Sequence, residues 1–167
     1  MNNINNNGPL KDLIVIDLTR VLAGPYTSMI LSDLGARIIK VEPPNGDDSR
    51  EFSPFIKNQS AYFASLNRGK ESIKLDLKNN KDKFLFNNLL HKADILIENY
   101  KPGTMEKLGY DFNTLKKEYP NLIYASCSGF GQTGPWANKP AYDMIVQGMG
   151  GLMSVTGHKG QEPVRVG

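Results

Sequence analysis

The chain contains one cysteine, Cys127, so it can form no internal disulfide and no thiolate zinc cluster. Its two histidines, His91 and His158, add little to the inventory of metal ligands, and no metal site is expected. No apolar run approaches the length of a membrane span, so no membrane partner is expected. A large excess of either charge sign is also lacking. The net charge is +3, and no basic block is longer than Lys116 and Lys117, so nucleic acid is not an expected partner. The opening MNNINNNGP lacks the basic and apolar regions of a secretory signal. The expectation is a reducing, cytoplasmic setting, with residues 1–9 a disordered Asn-rich lead.

What is present is a globular composition, 40% hydrophobic and 22% charged over 167 residues. That length suits one domain with at most part of a second. The organising stretch is residues 13–44. Leu13, Ile14, Val15 and Ile16 form an apolar run suited to a strand buried on both faces. Ala23, Gly24 and Pro25 make a tight exit, with Pro25 placed to be the first residue of a helix. Tyr26, Met29, Ile30 and Leu34 recur at helical spacing and predict its apolar face, and Gly35 suits its C-terminal cap. Ile38, Ile39 and Val41 predict a second strand, stopped by Pro43 and Pro44. The result is a βαβ unit. Its loop, residues 19–24, lies where open parallel sheets bind ligands and where a helix N-terminus favours a phosphate, although many such loops bind nothing.

Residues 45–60 read as a polar loop, and Tyr62, Phe63 and Leu66 as a short helical patch. Alternation over 72–77 predicts a half-buried strand with Ile73, Leu75 and Leu77 on one side. Asn79 or Asn80 can cap a helix whose apolar face uses Phe84, Leu85, Leu89 and Leu90. Strands follow over 94–98 and 122–127, with Cys127 expected buried in the latter. Between them lie a short helix ending near Gly109 and another capped by Asp111 or Asn113. Residues 128–135 form a Gly-rich loop, and residues 142–153 a helix weakened by Gly148, Gly150 and Gly151. The alternation specifies an α/β fold, a Rossmann-like parallel sheet of about five strands with flanking helices.

Glu42, at the end of the second strand, copies the acid of a dinucleotide-binding unit. The G-x-G-x-x-G fingerprint is missing, and Arg20, Val21 and Leu22 are bulky where a pyrophosphate needs close approach, which argues against NAD. Three exit loops carry Arg20, then Asn99, Tyr100 and Lys101, then the Gly-rich tract 128–132. In a parallel sheet all three leave the same edge. A cation, an aromatic ring and open backbone there suit a nucleotide with a charged tail. Taken singly, Lys101 reads as a solvated charge and Tyr100 as a packing residue. Tyr142 and Asp143 pair a phenol with an acid, though a carboxylate at a helix start also serves the helix dipole. No Ser-His-Asp or Cys-His arrangement is visible.

These pieces resemble one family in order. They are DLTRVLAGP from Asp17 to Pro25, DLGA from Asp33 and IKVE from Ile39. NRGK from Asn67, LDL from Leu75, ENY from Glu98 and SGFG from Ser128 follow. The series closes with Tyr142-Asp143, GGLM from Gly150 and PVRVG from Pro163. The series resembles the class III CoA transferases, the CaiB/BaiF family. That resemblance implies a Rossmann-like domain that binds coenzyme A as part of an acyl-CoA substrate, with no metal. It also implies an interlocked homodimer and transfer of CoA to a carboxylic acid through an aspartyl anhydride, a form of covalent catalysis. It assigns CoA contacts to Arg20, Val21, Leu22, Ala23, Leu75, Asn99, Tyr100 and Lys107. Tyr142 and Asp143 fall near the family's active site.

Leu22 departs from the glutamine of formyl-CoA transferase, and Tyr142 stands where the related α-methylacyl-CoA racemases have a catalytic histidine, which favours transferase over racemase. The family's nucleophilic Asp is expected just past Gly167. Residues 10–167 are therefore expected to be the N-terminal part of a CoA-binding large domain, inactive alone. The alternatives are a non-catalytic remnant, a subunit completed by a second chain, or an NAD-binding module.

Overall fold

The computed structural model describes residues 8–167. Residues 1–7 of the Asn-rich lead lie outside the described residues, and Pro9 and Leu10 form a turn. The chain divides into two compact units, Met1–Cys127 and Ser128–Gly167.

The first unit is built on β1 (Ile14–Asp17), α1 (Ala23–Asp33) and β2 (Arg37–Glu42). Next come a small hairpin of β3 (Phe55–Ile56) and β4 (Gln59–Ser60), α2 (Ala61–Leu66) and β5 (Lys70–Lys74). The unit closes with α3 (Asn80–Leu90), β6 (Ile95–Glu98), α4 (Thr104–Leu108), α5 (Phe112–Glu118) and β7 (Ile123–Ser126). Five strands pair in parallel in the order β5, β2, β1, β6, β7. The chain winds outward from β1 through β2 to β5, then returns to the centre and winds the other way through β6 to β7. The direction reverses between β1 and β6, which is the topological switch point of a doubly wound sheet.

Successive side chains of each strand feed opposite faces. Ile16, Val41 and Leu96 join Phe86 and Leu90 of α3, Met105 of α4 and Leu115 of α5 in one apolar core. Val15, Ile38 and Ile97 join a second core on the other face, packed by Leu31 of α1. Leu75 and Leu77 are buried in the first core as expected, although β5 itself lies earlier than the alternation suggests.

Several sequence expectations are corrected. On α1 only Met29 of the four expected face residues is buried; Tyr26, Ile30 and Leu34 are exposed. The inward face uses Gly24, Pro25 and Ser28, because α1 lies close against the β1 exit and Ser28 bonds to a buried carboxylate. A Cβ on Gly24 would run into the Thr19 side chain, so that approach requires glycine. Pro25 is the third helical residue, not the first. On α3, Leu90 is buried and Leu89 packs against the core as expected, but Phe84 and Leu85 are exposed and Phe86 takes the buried position. Residues 45–60 are not irregular throughout. They hold a 3-10 turn (Asp48–Glu51), with Asp47 as its N-cap, and the β3/β4 hairpin. Cys127 is exposed, one residue beyond β7, which is an edge strand.

The second unit contains α6 (Asp143–Met149) and a 3-10 turn (Leu152–Val155). Gly151, at φ 78°, breaks the helix between them. Gln147 is buried and ties this unit together. Its Nε2 donates to Asp143 Oδ2 (2.6 Å) and to the Val166 carbonyl (2.9 Å), and its Oε1 accepts from the Val166 N–H (2.9 Å). Among the described residues no helix is long and apolar enough to cross a membrane.

Candidate functional site

The loop after β1 and the loop after β6 meet at the switch point. Arg20 N–H donates to Asn99 Oδ1 and Asn99 Nδ2 donates to the Arg20 carbonyl, both at 2.8 Å. One side chain thus fixes both backbone groups of one residue in the opposite loop. The Arg20 guanidinium pairs with Asp48, while its Nε–H is buried with no hydrogen-bond partner among the described residues. Val21, a β-branched residue, sits in the left-handed region at φ 67°. Leu22 caps α1 without a side-chain bond, and no acid in the first turn of α1 offsets the positive end of its dipole.

Beside this lock lies a cleft of about 130 Å³. Leu18, Val41, Pro43, Leu75, Tyr100 and Leu108 contribute to its wall, which is mainly apolar. Burial pushes the Tyr100 phenol up, with the nearby Arg20 charge working the other way. Tyr100 N–H donates to Glu98 Oε2 at 2.7 Å, which fixes the turn.

Of the residues singled out from sequence, Arg20, Val21 and Asn99 meet at the lock, and Leu75 and Tyr100 share the cleft wall. Leu22 and Ala23 are exposed at the start of α1. Lys107 is exposed on α4, next to Leu108 of the wall. Tyr142 and Asp143 open α6 in the second unit, where Asp143 is held by Gln147. The Gly-rich loop also belongs to that unit, with Gly129 packed against Ala141 so closely that no side chain fits.

Beneath the first two loops lies a polar network that the sequence reading missed. Asp17 is fully buried; its Oδ2 accepts from Ser28 Oγ (2.5 Å) and Lys70 Nζ (3.1 Å), and its Oδ1 from Thr19 N–H (2.8 Å). Lys70 also donates to the Pro25 carbonyl (2.9 Å) and Asn67 Oδ1 (2.8 Å). Burial draws its ammonium below the ordinary lysine value even though Asp17 opposes this. Lys40 Nζ reaches the Thr19 carbonyl (2.7 Å) and Asp47 Oδ2 (2.9 Å). Burial alone would raise the Asp47 carboxyl, but Lys40 and the Ser49 donors outweigh it and hold it below the ordinary range. The available signal was a lysine flanked by Ile39 and Val41 in a strand covered on both faces.

Glu42 stands where a dinucleotide-binding sheet places its ribose acid, but all of its acceptor capacity is taken. Arg50 Nε (2.7 Å) and Asp47 N–H (2.9 Å) fill Oε2, and Arg50 Nη2 (2.6 Å) and Ser72 Oγ (2.5 Å) fill Oε1. Burial favours its neutral form, yet these donors prevail and hold it at about 2. The carboxylate is a structural anchor for the 45–50 segment and has nothing left for a ribose.

This doubly wound sheet, with the locked switch point and no glycine fingerprint, fits a known sequence family. The profile of CoA-transferase family III matches residues 10–167. The chain belongs to CoA-transferase family III. It is 55% identical over 161 residues to the acetyl-CoA:oxalate CoA-transferase of Acetobacter aceti, covering 96% of this chain and 41% of that protein. It is 45% identical over 169 residues to the succinyl-CoA:mesaconate CoA-transferase of Haloarcula hispanica, covering 96% and 43%. The mouse succinyl-CoA:glutarate CoA-transferase is 44% identical over 161 residues, with 95% and 37% covered. Among solved structures, a CaiB/BaiF family protein from Brucella suis superposes with a TM-score of 0.91 at 45% identity, covering 96% of this family III chain and 44% of that one. The chain thus spans less than half the length of each of these relatives.

Proposed function

We propose that this chain forms the CoA-binding part of a CoA transferase that moves CoA from an acyl-CoA to a dicarboxylic acid. The observation that carries the reading is the Arg20/Asn99 lock at the switch point, beside an apolar cleft. The unpartnered Arg20 Nε–H and the acid-free first turn of α1 supply positive potential for the phosphates of CoA. The cleft walled by Leu75 and Tyr100 accepts an apolar or aromatic portion of the nucleotide. On this reading Val21, Leu22 and Ala23 present backbone to the ligand, and Lys107 offers a cation from α4.

The acceptor class rests on the relatives, whose names pair CoA with oxalate, mesaconate or glutarate, all dicarboxylic acids. The family reading also supports a cytoplasmic homodimer, with Tyr142 and Asp143 near the reacting groups. Calorimetric titration of the chain with CoA and with NADH tests the proposal. CoA is expected to bind, more weakly to Arg20→Ala and Asn99→Ala, and NADH is not. Equal affinity for the two nucleotides, or CoA binding indifferent to both substitutions, would reject it.

A further inference from the structure

Val21 holds a backbone conformation that β-branched residues avoid, on the loop assigned above to CoA. Such a conformation persists only where the surroundings over-determine it, and here they do. Thr19 C=O is held by Lys40 Nζ (2.7 Å), Arg20 by both ends of the Asn99 amide, and Val21 N–H by Asp47 Oδ1 (3.4 Å). The last and the first of these holds are joined, because Lys40 and Asp47 form an ion pair at 2.9 Å with each side chain 1% exposed. Asp47 is itself fixed: its Oδ1 accepts from Ser49 N–H (2.9 Å) and Ser49 Oγ (2.7 Å), and its N–H donates to Glu42 Oε2 (2.9 Å).

A buried ion pair is a weak source of stability, since desolvation takes back most of its attraction. Neither charge is among the residues that wall the cleft. What distinguishes the pair is where its hydrogen bonds end, on two backbone groups of one loop, one residue either side of Arg20. We propose that Lys40 and Asp47 are positioning residues that hold Val21 left-handed and so set the 19–22 loop in the shape that receives CoA. They act through the loop and touch no ligand. The inference rests on the CoA reading for its consequence, but the shape of the loop can be measured without ligand.

The test uses the 167-residue chain with Asp47→Asn and Lys40→Met, near-isosteric changes that each remove one charge. Calorimetry with CoA and amide NMR of residues 19–22 are the readouts. Each variant is expected to bind CoA at least about tenfold more weakly and to shift the Val21 amide resonance. Val21→Gly, which adopts positive φ freely, is expected to restore about threefold or more of that loss in the Asp47→Asn background; Val21→Ala is not. A pair that serves stability alone predicts folded variants with unchanged CoA affinity, and no gain in affinity from glycine at position 21. Unchanged CoA affinity and Val21 resonance in both variants, or no recovery with glycine, overturns the proposal. Should neither variant fold, hydrogen exchange in the unaltered chain decides: a Val21 N–H protected like the β1 amides supports the clamp, and a freely exchanging one overturns it. An unaltered chain that fails to bind CoA defeats the functional reading, while the amide readouts still judge the clamp.

Discussion

Replacing Glu42 by glutamine removes one negative charge from a carboxylate that accepts four hydrogen bonds at the carboxyl edge of the sheet. Burial opposes its ionisation, but Arg50, Ser72 and the Asp47 N–H hold its carboxyl at about 2, against an ordinary 4.5. That difference corresponds to about 3 kcal/mol of stability at neutral pH. Because the folded value lies below the unfolded one, the contribution is complete above about pH 5 and fades as pH falls toward 2. The Arg50 guanidinium, stacked 3.8 Å over the Phe63 ring and 39% exposed, keeps contact with water when its partner is lost, so no unhydrated cation adds to the cost. With a urea m-value of about 2 kcal/mol/M, the midpoint of Glu42→Gln should fall by roughly 1.5 M at pH 7. The gap between variant and parent should close as both are titrated from pH 5 downward. Identical midpoints at pH 7, or a gap of constant size down to the lowest pH at which both remain folded, would refute the assignment.

Gly24→Ala drives a methyl group into Thr19 and should cost about 1–3 kcal/mol in urea unfolding, with part recovered by Thr19→Ser. Phe86→Ala, emptying a fully buried site in edge contact with Tyr110, should cost about 3–5 kcal/mol, whereas Phe84→Ala on the exposed face should stay within about 0.5 kcal/mol. Burial pushes the Tyr110 phenol up to about 12. Ultraviolet titration should find it ionising there, and since the folded value exceeds the unfolded one, alkali should favour unfolding from about pH 10 upward.

The sheet was legible because its strands declare themselves as short apolar runs. Residues 14–16 and 95–97, and Ile38, Ile39 and Val41 around Lys40, need no tertiary information to be read as strands. Legible too was the shared edge of the Arg20 and Asn99 loops, which follows from parallel winding alone. The helix faces were misread where periodicity counts only apolar side chains. The inward side of α1 is chosen by Gly24, which lets the helix approach, and Ser28, which serves Asp17. The 45–60 segment was opaque because a 3-10 turn and two-residue strands have no period to detect. Lys40 was invisible for another reason. A strand lysine reads as solvated unless its partner is known, and Asp47 lies in a segment that carries no pattern of its own.

The second unit holds its final tract by a device that reads no side chain at all. Gln147 gives one donor and one acceptor to the same peptide residue, Val166, and its remaining N–H goes to Asp143. Whatever occupies position 166 can therefore drift without loosening the grip, provided its main chain keeps the same direction. The vulnerable partner is the amide. Slow spontaneous hydrolysis to a carboxylate would leave it with acceptors alone, facing one carbonyl and one acid, and the tract would be released by chemical ageing of a single buried group.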